Sequence, residues 1–170
     1  GAIGARAGRI WGRWLLRVKK DYVAGTQHFL AMMKSFKGSK FEPGFRYWAA
    51  KGWQAQGQPI KAIALFDAWI GVDPRNADAH LYKSDFMVHN GYDPGVTLIT
   101  IQSGISVDDG NAALHYLLAK VQLKRQEYDR AARAIKRAMG LKPGKALYRN
   151  LSHQIDFKRG PLKGKGIPKR

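Results

Sequence analysis

Cysteine is absent from this chain, so neither disulfides nor thiolate metal sites can hold it together, and nothing about its redox compartment follows. Acidic residues are scarce: 12 Asp and Glu face 30 Lys and Arg, a formal net charge of +18. Charge of that size bears on partners and solubility rather than on fold. Long apolar runs are missing too, and stretches such as "VTLITI" are far too short to span a bilayer. A length of 170 residues, 45% of them apolar, leaves room for one or two domains with a core.

Catalytic patterns are also lacking. His28, His80, His89, His115 and His153 are scattered and, with few carboxylates nearby, make a poor metal set. "GAIGARAG" holds glycines but follows no strand, so it fails as a dinucleotide fingerprint. Asp108-Asp109 lies in a turn, where capping explains it better than acid–base work. The expectation is a protein that is not an enzyme and uses no cofactor, metal or small-molecule substrate.

What is present is charge segregated along the chain. Residues 1–40 carry nine Lys/Arg against one acid, residues 41–115 five against eight, and residues 116–170 sixteen against three. A nearly neutral centre between two basic ends fits a scaffold whose ends meet polyanions: nucleic acid, an acidic membrane or an acidic protein surface.

The centre repeats itself. "GVDPRNADAHLY" at Gly71–Tyr82 returns as "SVDDGNAALHY" at Ser106–Tyr116 and as "GLKPGKALY" at Gly140–Tyr148. In each, an apolar residue (Val72, Val107, Leu141) precedes a turn rich in Asp, Asn, Pro or Gly, and an Ala- and Leu-rich run follows. Proline suits a helix boundary because it lacks the N–H a helix interior needs, and Asn or Asp can cap the next helix. A second turn falls mid-repeat, at "QGQP", "NGYDP" and "RQEYD". A period near 34 residues with two turns per period predicts stacked helix pairs.

This grammar resembles the tetratricopeptide repeat. Gly57, Ala62, Phe66 and Pro74 take that family's turn, small, aromatic and proline positions, and Ala131, Ile135, Ala138 and Pro143 do so in the last unit. The bulky aromatic early in the first helix is expected to be replaced by Arg46, His80 and His115. In the middle unit Val96 and Thr100 are expected at the small and aromatic positions, with one residue extra. "VTLITI" could pass for a strand, but Asp93-Pro94 starts a helix well and the period demands one. The resemblance covers residues 43–145 and implies an all-α helical-repeat stack, an α-solenoid, with Ala146–Ile155 as a capping helix. It also implies a groove lined by the first helices: Tyr47, Lys51, Leu81, Asp85, His89, Tyr116, Lys120 and Lys124. Members that grip a terminal carboxylate use Lys, Asn and Arg there; Asp85 and the missing asparagines argue against that role, while Tyr and Lys could still hold a peptide or helix.

Both ends read as attachment points. In "RAGRIWGRWLLRVKKDY", Ile10, Trp11, Trp14, Leu15, Val18 and Tyr22 recur at helical spacing beside an arc of Arg6, Arg9, Arg13, Arg17 and Lys20. Four roles fit: lying on an anionic membrane, tracking phosphates, targeting, or docking the Trp face on the repeats or a partner with the Arg face in solvent. Docking is the expectation, through Arg9, Trp11, Arg13, Trp14 and Arg17. The lack of Ser or Thr before Thr26 argues for a retained segment rather than a targeting peptide, and the opening Gly leaves a removed leader open. A second helix is expected over Thr26–Phe36, with Phe29, Leu30, Met33 and Phe36 inward.

At the other end Arg130, Arg133 and Arg137 form one stripe on a helix, with Lys120, Lys124 and Arg125 on the helix before it. The chain closes on "FKRGPLKGKGIPKR", which adds Lys158, Arg159, Lys163, Lys165, Lys169 and Arg170 with Gly and Pro spaced against regular structure. Flexible Lys/Arg/Gly strands thread between phosphates where a rigid domain cannot. Exposed aromatics for base stacking are few: Tyr128, Tyr148 and Phe157.

The organisation expected is a basic amphipathic extension (1–40), the repeats with their cap (41–157) and an extended basic tail (158–170). The function expected is a non-enzymatic scaffold subunit of a large assembly, with other protein subunits as partners. Its basic ends would anchor it on structural RNA of a ribosome-type particle, mitochondrial in the first instance. A bacterial cytoplasm or membrane face is the second location. The rival reading is a protein–protein adaptor or membrane-surface subunit.

Overall fold

The structure, a computed structural model, describes residues 1–160. Helices account for all regular structure among them: α1 Ala2–Trp14, α2 Tyr22–Ser35, α3 Glu42–Ala55, α4 Pro59–Val72, α5 Ala77–His89, α6 Pro94–Val107, α7 Ala112–Lys124, α8 Tyr128–Leu141 and α9 Ala146–Arg159. A π-helical turn, Leu15–Lys19, prolongs α1 and stops where Lys20 turns left-handed at φ 57°. The chain divides into two compact units, Gly1–Lys83 and the residues from Ser84 on.

Repetition is set by the turns. Asp73 and Asp108 each accept from the N–H two residues on (Arg75 at 3.1 Å, Gly110 at 3.0 Å), and Asn76 and Asn111 then cap α5 and α7. Mid-repeat, Gly57 and Gly91 adopt φ +72° and +71°, a region that disfavours side chains bearing a Cβ. "VTLITI" is helical as the period requires. Asp93 caps it by accepting from Val96 N–H at 2.9 Å, and Thr97 Oγ1 bonds the Asp93 carbonyl at 2.7 Å. The β-branched threonine thus satisfies its hydroxyl within the helix.

The first helices end in step at Ala55, His89 and Lys124 and lead into matching turns at Gly57, Gly91 and Gln126, which places Arg46 with His80 and His115. The residue before each of them, Phe45, Ala79 and Leu114, is buried in all three units. One register expectation needs correction. Second helices start at Pro59, Pro94 and Tyr128, which aligns Ala62 with Thr97 and Ala131, and Phe66 with Ile101 and Ile135. These six are buried, while Val96 is 55% exposed; the small and bulky positions of the middle unit therefore sit one residue later than Val96 and Thr100.

In the first unit, Ala5, Leu16, Phe29, Phe45 and Ala49 form a core contributed by α1 to α3. α2 begins at Tyr22 rather than Thr26 because Asp21 caps it through Ala24 N–H at 3.0 Å. It lies so close to α3 that a Cβ on Gly52 would stand 2.0 Å from Thr26 Oγ1. Gln56 ties the pair, donating from Nε2 to Thr26 Oγ1 at 2.8 Å. α1 packs through small residues: a Cβ on Gly8 would meet Met32, and one on Gly12 would meet Phe29 at 2.5 Å. Residues 1–40 are thus packed into this unit rather than held apart from it.

In the second unit, α7, α8 and α9 close over Ala112, Ala119, Ala131, Ala134, Ile135, Ala138, Tyr148, Leu151 and Ile155. Alanines along α8 let the helices approach closely, while Ile135 and Ile155 fill the space between them. α9 runs to Arg159, so it outlasts the expected cap at Ile155 and takes in Lys158 and Arg159, which were expected in the extended tail.

Candidate interaction surfaces

The basic residues of the second unit do not form one patch. Arg130, Arg133 and Arg137 stand along α8 at the edge of an open cleft of about 590 Å³, which Gln102 of α6 and His115, Leu118 and Gln122 of α7 also line. Two of the three arginines are engaged: Arg137 pairs with Asp109, and Arg130 reaches Glu127 at 3.3 Å. Arg133 has no ion pair among the described residues. Both carboxylates are held below their ordinary range, Asp109 by the hydrogen bond from Arg137 and Glu127 by that from Arg125. Gln122 Oε1 is buried with no hydrogen-bond partner among the described residues. The cleft therefore offers a row of guanidinium groups, with its one acid, Asp109, already paired.

Lys120 and Lys124 face elsewhere. They line a smaller cavity of about 200 Å³ with Val88, Tyr92, Pro94 and Val121. Burial pushes the Tyr92 hydroxyl upward in pKa. Arg125 is tied to Glu127 at 2.6 Å, and Arg159 to Asp129 at 2.7 Å. Lys158 is exposed at the end of α9. Lys163, Lys165, Lys169 and Arg170 lie outside the described residues.

Of the stacking candidates, Tyr148 is 1% exposed and stacks on Tyr116 with ring centroids 5.2 Å apart, so it is not open to a base. Tyr128 is half-buried. Phe157, 83% exposed beside Lys158 and Arg159, is the one fully presented.

Residues expected along a groove divide between the units. In the first, Tyr47 meets Tyr82 edge-on at 6.3 Å, and Lys51 and Leu81 are half-buried. In the second, Asp85 pairs with His89 at 3.1 Å, and Lys120 Nζ sits 5.7 Å over the Tyr116 ring. Burial, above all, raises the Tyr116 pKa.

The N-terminal helix does not dock its two Trp residues on the repeats, although Leu15 of the expected face is buried. Its glycines and Ala5 face the unit, and the Trp face looks outward: Trp11 and Trp14 are 53% and 40% exposed and stack on each other at 4.9 Å. Arg13 and Arg17, named with the docking residues, reach over the Trp48 ring of α3 at 5.0 and 5.1 Å. Arg9 is exposed. The physical reason is closeness. Gly4, Gly8 and Gly12 recur every four residues, and a helix face without side chains can approach α2 more nearly than a face of indoles. That spacing was the available signal in "GAIGARAG".

Among the described residues no group of three His, Asp or Glu could hold a metal ion, and no helix is long and apolar enough to cross a membrane.

No protein-family model and no curated protein matches the sequence. Solved structures do match in fold. A tetratricopeptide-repeat protein of Thermus thermophilus is 18% identical, with 92% of this chain and 83% of that one covered and a TM-score of 0.64. MamA of Desulfovibrio magneticus is 15% identical, with 91% and 85% covered and a TM-score of 0.61. YrrB, described as a repeat protein with an unusual peptide-binding site, is 15% identical, with 88% and 74% covered and a TM-score of 0.59. Helix pairs in step, alanines and bulky residues at matching places and these likenesses together give the chain the tetratricopeptide-repeat fold.

Proposed function

We propose that this protein is a non-enzymatic helical-repeat scaffold of a large assembly, docked on structural RNA through the arginine edge of α8. The observation that carries the reading is the cleft where Arg130, Arg133 and Arg137 line up over about two turns while the nearby acids are internally paired. Guanidinium groups at that spacing can track successive phosphates. Scarcity of exposed aromatics points to backbone recognition rather than base reading. The repeats would hold protein partners, a use supported by the peptide-binding site that gives YrrB its description. A ribosome-type particle, mitochondrial in the first instance, is the proposed setting.

The test is RNA binding by the full chain across a salt series. Log affinity is expected to fall by about 0.7 per phosphate contacted for each log unit of salt. Arg130→Gln with Arg133→Gln and Arg137→Gln is expected to flatten that slope by two to three contacts, roughly one per charge removed. A slope unchanged by the triple substitution would overturn the RNA reading and leave a protein-only scaffold.

A further inference from the structure

We propose that α1 lies in the headgroup region of an anionic lipid bilayer, with its outward stripe of Ile3, Ile10, Trp11, Trp14 and Val18 immersed. The exposures are 86, 69, 53, 40 and 68%. An isolated exposed apolar residue is ordinary, but five large ones along one face of α1 and the π-helical turn that prolongs it form a patch that needs a partner. The fold cannot supply one from α2, because the opposite, glycine-lined face of α1 already occupies it.

Charge identifies the occupant. Arg6, Arg9, Arg13, Arg17, Lys19 and Lys20 flank the stripe, and no acid occurs before Asp21. Among the described residues, Lys19 alone of these stands near a carboxylate, Asp21 at 4.0 Å. Arg13 and Arg17 are steered to one side by the Trp48 ring. Arg6 and Arg9 line a cleft of about 270 Å³ with Lys40. The complement of an apolar stripe bordered by cations is a surface that is oily inside and anionic outside. RNA would pair with the arginines but leave Ile3, Ile10 and Val18 in water. The stacked indole pair, half-exposed at the edge of the stripe, suits the boundary where headgroups meet acyl chains. Thirteen residues of helix reach about 20 Å, so α1 lies on such a surface and does not cross it.

Vesicles with brominated acyl chains provide the test, since bromine quenches only tryptophans that enter the acyl region. The full chain is expected to sediment with phosphatidylglycerol-containing vesicles and to lose part of its Trp emission there, but not to bind pure phosphatidylcholine in moderate salt. Trp11→Ser with Trp14→Ser should abolish the quenching and weaken partitioning by about tenfold or more. Ile10→Ser with Val18→Ser should weaken partitioning comparably while leaving the melting temperature unchanged, because neither side chain packs inside the protein. Arg6→Glu with Arg9→Glu should cut partitioning by about tenfold. Sedimentation without quenching would mean that charge alone holds the chain, and the proposal would fall. It would fall equally if no sedimentation occurred, or if the stripe variants lost RNA binding and kept their affinity for vesicles.

Discussion

His115 points its Nε2 at the backbone carbonyl of Asp109, six residues upstream, at 2.9 Å. His80 does the same to Pro74 at 3.0 Å, one repeat earlier. With Nε2 protonated, each ring donates to a turn carbonyl and ties the start of a first helix to the turn that launches it. Both rings are buried, so each also fills core volume. Their role is to brace a turn, and that accounts for two histidines at equivalent places in a chain without a metal cluster among its described residues.

Replacing His115 with Leu keeps most of the bulk and removes the donor. Stability is expected to fall by about 1 kcal/mol, the net worth of a typical hydrogen bond, with His80→Leu similar. Thermal melts with and without zinc would check this. Metal-dependent stabilisation lost in either variant would contradict the bracing role.

Glycines divide into those that permit contact and those that do not. Gly12→Ala places a Cβ 2.5 Å from Phe29, and Gly52→Ala places one 2.0 Å from Thr26 Oγ1. Each is expected to destabilise by about 1–3 kcal/mol through overpacking. Gly140 lies within α8 with nothing within 4 Å of the position a Cβ would take. Gly140→Ala is expected to stabilise by about 0.5–1 kcal/mol, because alanine loses less backbone freedom in a helix. Opposite signs in denaturant titrations are the predicted outcome.

Much of this architecture was legible because turns carry strong local chemistry. Asp-Pro-Arg-Asn and Asp-Asp-Gly-Asn announce a stop and a cap whatever surrounds them. Register inside the helices was less legible. An extra residue between Gly91 and α6 moves the small position of the middle unit from Val96 to Thr97. Arg46 stands at the place of His80 and His115. Its guanidinium bonds Glu42 at 2.6 Å and the Leu65 carbonyl at 2.7 Å, and its aliphatic stem is covered. The orientation of α1 was the largest miss, since hydrophobicity ranks indoles above glycines as core formers, whereas helix–helix distance ranks them the other way. In the candidate site, the α8 stripe followed from spacing alone. That Lys120 and Lys124 face a different cavity depended on how α7 is rotated, and no local pattern records that.

The mid-repeat turn offers a prediction on backbone conformation. Gly57, Gly91 and Gln126 occupy matching turns with φ of +72°, +71° and +62°. A side chain in that region is disfavoured by about 1 kcal/mol or more, while glycine loses up to about that much through its freer unfolded state. Gln126→Gly should therefore leave stability level or slightly raised, and Gly57→Gln should lower it by about 1 kcal/mol. Equal losses from both would show that the glutamine side chain contributes something the turn geometry does not explain.

Acid should loosen the second unit through its ion pairs. Asp109 and Glu127 titrate below their ordinary range because Arg137 and Arg125 donate to their carboxylates. A carboxylate with a depressed folded-state pKa stabilises the fold above its unfolded pKa, near 4, and loses that contribution as pH falls through the folded value. The window is thus pH 4 and below, and stability at neutral pH should be flat with respect to these two groups. Asp109 is exposed and Glu127 is partly so, so the effect is modest and screened by salt. Asp109→Asn with Glu127→Gln is expected to remove the part of the acid-side slope that these pairs produce, measured as melting temperature from pH 5 to 2 at low salt. The same variant frees Arg125, Arg130 and Arg137 for phosphate, so its RNA affinity at neutral pH should rise. A steeper acid slope in the variant, or weaker RNA binding, would show that the arginines need these carboxylates to hold their positions over the cleft.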